Sequence, residues 1–416
     1  MGRIVQTLGG FVVLSALLFA VTLLTPAELP RVTTVETTRS AKVVCIPTEE
    51  GGDVHVTGTN TVGTLGEAPE PGQRVVLTGQ NSPVVAEGTA GPVGGALSGS
   101  GAVRTLTPCI RPVSRGVISL PATANTVLRI VNPDASEAAI DLTLLGPDGE
   151  IQALGARGIA LGPNGEKTIA LSVLTSEATP VGVSFQASRG RAAVVAFTTT
   201  STSGTAAIPA EAATTHWLPG VMADVPEASV VLANPGHDRA TVRLTAYGTT
   251  PAYTPDGGDS VTIAGHSTVV VPLQGALAGE AAALRVDSDV EVLAGLAVAQ
   301  GDGAQVSPVR AGAELVSFVA PGGTLQLTNP GAEPVTASLV VDDGEVGTVE
   351  VGAGMTVAQA LPETTDAAQS VTVRASSEMF GAVVATGEAG TWVAPLQPAG
   401  SGDAAPVEAE LDPGLR

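Results

Sequence analysis

Apolar and polar positions alternate with period two along most of this chain, in short runs separated by Gly, Pro, Asn and Asp. That period predicts β-strands with one buried face, joined by tight turns. Three stretches repeat one pattern: "TVLRIVNPDASEAAIDLTLLGPDGE" (Thr126 to Glu150), "SVVLANPGHDRATVRLTAYG" (Ser229 to Gly248) and "TLQLTNPGAEPVTASLVVDDGE" (Thr324 to Glu345). Each is an apolar strand, an Asn-Pro step, a polar turn and an alternating strand. Asn132-Pro133, Asn234-Pro235 and Asn329-Pro330 are 102 and 95 residues apart. A period near 100 fits a sandwich-sized domain better than a short solenoid repeat. Pro ends a strand because it has no N–H to donate, and the preceding Asn side chain can bond the turn backbone, so the step reads as structural turn chemistry.

The rest of each unit also matches. A Gly-rich turn leads to "EKTIALSVL", "HSTVVVPL" or "MTVAQALP", two further strands follow, and a Pro-containing strand opens each unit ("VISLPA", "HWLPG", "SFVAPGG"). About seven antiparallel strands per unit predict tandem immunoglobulin-like or fibronectin-like β-sandwiches. The expected division is 116–215, 216–313 and 314–398 for three repeats. Residues 31–115 are read as a divergent, partly degenerate fourth β unit, and 399–416 as a disordered acidic tail. "TWVAPL" (Thr391 to Leu396) is read as a repetition of the opening strand.

No charged residue occurs from Ile4 to Ala27, and Phe11 to Leu24 is almost wholly apolar behind the single cation Arg3. This length and flanking charge predict a single N-terminal transmembrane helix (residues 1–30), with everything after it outside the cytoplasm. The expected location is therefore the cell membrane, single-pass, with the bulk extracytoplasmic. Secretion after signal cleavage is the alternative, although "LLTPAELP" offers no clear small-x-small site.

Composition narrows the function classes. The 416 residues are 44% apolar, enough for several cores, and the formal charge of -21 argues against a nucleic-acid partner. Cys45 in "AKVVCIPT" and Cys109 in "TLTPCIRP" are the only cysteines. In an oxidising compartment they most simply pair, with two unrelated buried thiols as the alternative. No histidine lies near them in sequence, so no zinc site is expected.

Candidate chemistry is sparse. His55, His216, His237 and His266 do not fall at metal-ligand spacings, and His237 and His266 sit in turns. "VDSDVEV", "VVDDGE" and "PDGGDS" lack the oxygen-ligand spacing of a calcium loop. No nucleophile elbow, zinc-protease or P-loop motif occurs. Neither catalysis nor any cofactor is expected. Trp217 and Trp392, the only tryptophans, are read as equivalent positions packed at domain junctions, with contact to a glycan as the sharper alternative.

The single anchor, the "VVC" strand followed by a second "PC", and the repeated "NP" strand pairs resemble an actinobacterial family of secreted or membrane-anchored proteins of unknown function. That resemblance implies a genomic neighbour among envelope glycosyltransferases and mannose-activating enzymes and carries no site residues; the expected partners are the membrane, through the N-terminal helix, and an envelope glycosyltransferase or another envelope protein. The leading expectation is a non-catalytic, membrane-anchored extracytoplasmic scaffold or interaction protein of the bacterial cell envelope. The second is a glycan-binding accessory subunit of an envelope glycosyltransferase, with Trp217, Trp392 or Tyr247 on the sugar. A hydrolase built across repeat interfaces is a distant third.

Overall fold

The computed structural model describes residues 41–400, apart from 49–50, 90, 101–102, 123, 177–179, 200–203, 226, 274, 278, 300–303, 321, 363–367 and 388–389. The expected anchor helix (1–30) and acidic tail therefore lie outside the described residues, but for Ala399 and Gly400 at the tail's start. Among the described residues no helix is long and apolar enough to cross a membrane. These residues form a nearly all-β body of several sheets, with one short helix, α1 (Leu171–Leu174).

The first unit holds β1 (Ala41–Cys45), β2 (Gly52–Thr57), β3 (Thr61–Thr64), β4 (Glu70–Pro71), β5 (Arg74–Gln80), β6 (Val84–Gly88), β7 (Val93–Ser100) and β8 (Val103–Pro108). The second holds β9 (Arg115–Leu120), β10 (Thr126–Val131), β11 (Ala138–Gly146), β12 (Gly149–Ile151), β13 (Ile159–Leu161), β14 (Glu166–Ala170), β15 (Val181–Arg189), β16 (Ala193–Thr199) and β17 (Gly204–Ala207). In the third are β18 (Ala213–Val221), β19 (Glu227–Asn234), β20 (Ala240–Tyr247), β21 (Val261–Ile263), β22 (Ser267–Pro272), β23 (Ala282–Ala299) and β24 (Ala304–Val306). The fourth comprises β25 (Gly312–Val319), β26 (Thr324–Thr328), β27 (Val335–Val341), β28 (Gly344–Val351), β29 (Thr356–Ala360), β30 (Gln369–Gly387), β31 (Gly390–Pro395) and β32 (Gln397–Pro398).

One set of antiparallel pairings recurs in all four. In the second unit β9 pairs β15, and β15 pairs β11, in one sheet; β14 pairs β10, β10 pairs β16, and β16 pairs β17, in the other. The first unit has the same order, β1-β6-β3 against β5-β2-β7-β8. In the third and fourth units the long strands β23 and β30 serve both sheets, pairing first with β18 and β20 or β25 and β27, then with β19 and β24 or β26 and β31. Between the two sheets of each unit lies a core of alternate strand residues, such as Leu128, Ile130, Val194 and Ala196 in the second.

Two expectations change. The first unit carries the full pairing order and is not degenerate in its ladders. Nor is "TWVAPL" an opening strand: β31 pairs the second half of β30, as β17 pairs β16 and β24 pairs β23, while the opening strands pair the first half. Trp392 and Trp217 therefore occupy different places in the pattern. Residue types alone misled here, because both strands join Trp to a nearby Pro.

The units pack through their outer sheet faces. Val44, Ile46 and Ile110 of the first meet Val131, Val195 and Phe197 of the second. Val117 and Leu145 of the second meet Ala233 and Leu293 of the third. Ala382, Val384 and Val393 of the fourth join the core of the third. Val316 and Phe318 of the fourth return to Val93 of the first, which closes a ring. Strands such as "VLRIV" and "AVVAF" are largely apolar on both faces because both are buried, one in the unit and one between units, with Arg129 as the charged exception on the outer face of the first. Gly182 shows how close the approach is: an added Cβ would lie 2.7 Å from the Ala233 Cβ.

Candidate functional site

At the centre of the ring β8 abuts β17, β17 abuts β24, β24 abuts β31, and β31 abuts β8. These are equivalent strands of the four units, each paired with the strand before it: β7, β16, β23 or β30. After each, the chain turns back onto its own opening strand: Ile110 onto Val44, Ala210 onto Val117, Val309 onto Trp217 and Gln397 onto Val316. The four turns and strands line an open-sided cavity of about 510 Å³ that takes lining residues from every unit. Its walls include Val43, Val113, Ile208 and Val393, and its charged residues are Arg111, Arg115, Arg310 and Glu211. Ser307 ties the second and third units beside it, accepting from the Ile208 N–H at 3.1 Å and donating to the Ile208 carbonyl at 2.7 Å.

Cys45, at the end of β1, and Cys109, just after β8, form a disulfide. The bond fixes the first unit's opening strand to the segment that returns from the cavity.

The three Asn-Pro steps share one geometry. Asn132, Asn234 and Asn329 are buried, and each donates through Nδ2 to the carbonyl four residues on, Ser136, Asp238 or Glu333, at 2.7 Å. Each Oδ1 accepts the N–H two residues on, that of Asp134, Gly236 or Gly331. Asn132 donates also to Gly162, and Asn329 to Val351 and Gly352, so the side chain pins the turn to the following hairpin. Pro133 adds a contact between units, because Lys42 donates to its carbonyl and pairs with Asp134 at 3.2 Å. The hydrogen bond from Arg191 holds the Asp134 carboxyl below its usual range, with Lys42 adding to the effect.

Trp217 lines the cavity but is half-buried at the junction of the third and fourth units. Its ring stacks on Phe380 with centroids 4.4 Å apart, Tyr247 lies 4.7 Å away, and the Arg285 guanidinium sits 5.9 Å from the ring centroid. Trp392 is half-buried against the core of the fourth unit.

Sequence spacing missed two histidine environments. His237 and His266, 29 residues apart, meet at 2.8 Å between Nδ1 and Nε2. His216, next to Trp217, is buried, with Nε2 2.7 Å from the Val292 carbonyl. Burial pushes its pKa down, as it does that of His55, which packs on Phe318 at the closing junction. Among the described residues no group of three or more His, Cys, Asp or Glu is placed to hold a metal.

Fold and site together define an all-β protein of repeated sheet pairs around a shared central cavity. The chain belongs to the Family of unknown function (DUF5719), whose model matches residues 65–314. That match begins within the first unit, covers the second and third, and ends in β25, before the fourth-unit residues Ala382, Val384 and Val393 that meet the third. No curated protein matches. A solved structure of PNGF-II aligns with 84% of this chain and 100% of its own at 9% identity, with a TM-score of 0.16, too low to argue a shared fold.

Proposed function

We propose that this protein is a non-catalytic, membrane-anchored extracytoplasmic scaffold of the bacterial cell envelope, in which four immunoglobulin-like or fibronectin-like sandwiches form one rigid interaction body. On this reading the domains are residues 31–115, 116–215, 216–313 and 314–398, held outside the membrane by the segment 1–30. The observation that carries it is the ring: each unit presents one sheet face to the unit before it and the other to the unit after it. Such an assembly favours presentation of a fixed surface over domain motion. The disulfide supports an oxidising compartment outside the cytoplasm.

The test is co-purification of the full-length protein from native membranes with crosslinking and mass spectrometry. A stoichiometric envelope protein is expected, and an envelope glycosyltransferase among the crosslinked partners would make the scaffold an assembly factor. Recovery of the protein alone, together with an unchanged envelope after deletion, would overturn the reading.

A further inference from the structure

The fourfold pattern separates what builds the ring from what does not. The four residues that turn back onto the opening strands, Ile110, Ala210, Val309 and Gln397, are followed by Arg111, Glu211, Arg310 and Pro398. The backbone role repeats four times and the charge does not, so ring assembly does not require these arginines. With Arg115 they give the cavity three arginines against one glutamate, in a chain of formal charge -21. Arg74, Arg129, Arg157, Arg189, Arg191, Arg243, Arg285 and Arg374 elsewhere are held in ion pairs. Among the described residues Arg115 and Arg310 are not. The nearby His216 adds no charge at neutral pH, since burial lowers its pKa.

An arginine guanidinium is a planar fork suited to carboxylate or phosphate, and a concave wall concentrates its field. The same cavity offers apolar walls from all four units, and its 510 Å³ falls in the range of about 300–1,000 Å³ typical of small-molecule sites. We propose that the ring centre binds an anionic amphiphile: one hydrocarbon chain lying on the valine, leucine and isoleucine walls, with a carboxylate or phosphate head held by Arg115 and Arg310. This goes beyond the scaffold reading and does not depend on which envelope protein the outer surface meets.

The experiment uses full-length protein in phosphatidylcholine nanodiscs and three diazirine probes of equal chain length: a fatty acid, an alkyl phosphate and a zwitterionic lysophosphocholine. Crosslinked peptides are mapped by mass spectrometry. Labelling of cavity segments around Val113, Ile208 and Leu396 by either anionic probe is expected. It should fall about tenfold in Arg115→Gln/Arg310→Gln, as expected when charge-assisted contacts are lost. Both side chains are exposed, so this variant should keep the parent's melting temperature. Preference for the fatty acid would identify a free carboxylate, and preference for the alkyl phosphate a lipid phosphate. Equal cavity labelling by the zwitterion, labelling unchanged in the double variant, or crosslinks confined to the outer surface would each overturn the proposal.

Discussion

The first and second units share one order of strand pairing and are held together by different means. Among the described residues nine buried ones form the core of the first, two of them the bonded cysteines, against twenty in the second, which include Phe185 and several leucines and isoleucines. Where the first has Cys45 the second has Ile118, fully buried in its core. The corner between the second and third strands also differs. The later units use a buried Asn before Pro; the first uses Gly58 at φ 72°, with a buried Thr59 whose hydroxyl donates to the Gly72 carbonyl. The ladder can thus be kept while its fastenings change, and the unit with the smallest core has the covalent one.

Removing that fastening is the strongest way to break the comparison. Cys45→Ala with Cys109→Ala opens a 64-residue loop and should cost about 4 kcal/mol by loop entropy, read by denaturant unfolding. Hydrogen exchange should show residues 41–110 opening before 115–210. Equal loss of protection in all four units would mean that the ring unfolds as one cooperative body.

The corners give the next effect. Asn329→Ala leaves the carbonyls of Glu333, Val351 and Gly352 and the Gly331 N–H without their partner, at a cost of about 2–3 kcal/mol. At the first unit's corner Asn60 is exposed and accepts only a long bond from the Thr89 N–H, so Asn60→Ala should stay within about 0.5 kcal/mol. Equal losses in denaturant titrations would show that the corners do the same work in different letters.

Much of this was legible in the sequence. The threefold Asn-Pro pattern located the strands and corners because one buried amide imposes the same spacing each time. The disulfide followed from there being just two cysteines. The ring was not legible, since the contacts between units are made by Val, Ala, Leu and Gly on strands that otherwise read only as apolar. The period-two pattern predicts strands with one buried face, and which outer face meets which unit depends on packing between residues far apart in sequence. The same limit hid the cavity, whose arginines come from two segments about 200 residues apart, and the contact between His237 and His266.

Acid provides a third test. Burial lowers the pKa of His55 and of His216, so each binds its proton more readily unfolded than folded. Their contribution is complete above the unfolded value of about 6.5 and is lost as pH falls below it. The lowered Asp134 carboxyl acts in a separate window, losing its contribution as pH drops below the usual aspartate value of 3.8. Thermal midpoints should therefore decline between pH 7.5 and 5.5, and His216→Gln should flatten part of that decline. An unchanged slope in His216→Gln would assign the dependence to His55 and the first unit.

The smallest effect concerns the junction where the ring closes. There Arg74 pairs with Asp343 at 2.6 Å and donates to the Ser370 hydroxyl at 3.1 Å, on side chains that stay largely in water. The junction between the second and third units instead buries the Thr268 hydroxyl, which donates to the Leu145 carbonyl at 2.7 Å and accepts the Gly182 N–H at 2.9 Å. An exposed pair contributes about 0–1 kcal/mol and weakens with salt, so Arg74→Ala should lower stability by no more than that. Its difference from the parent should vanish at high ionic strength. Thr268→Val, which leaves the Leu145 carbonyl and Gly182 N–H unpaired in the dry junction, should cost more and respond little to salt. If Arg74→Ala proved the costlier, the closing contact, small though its apolar patch of Val93, Val316 and Phe318 is, would be the one on which the ring depends.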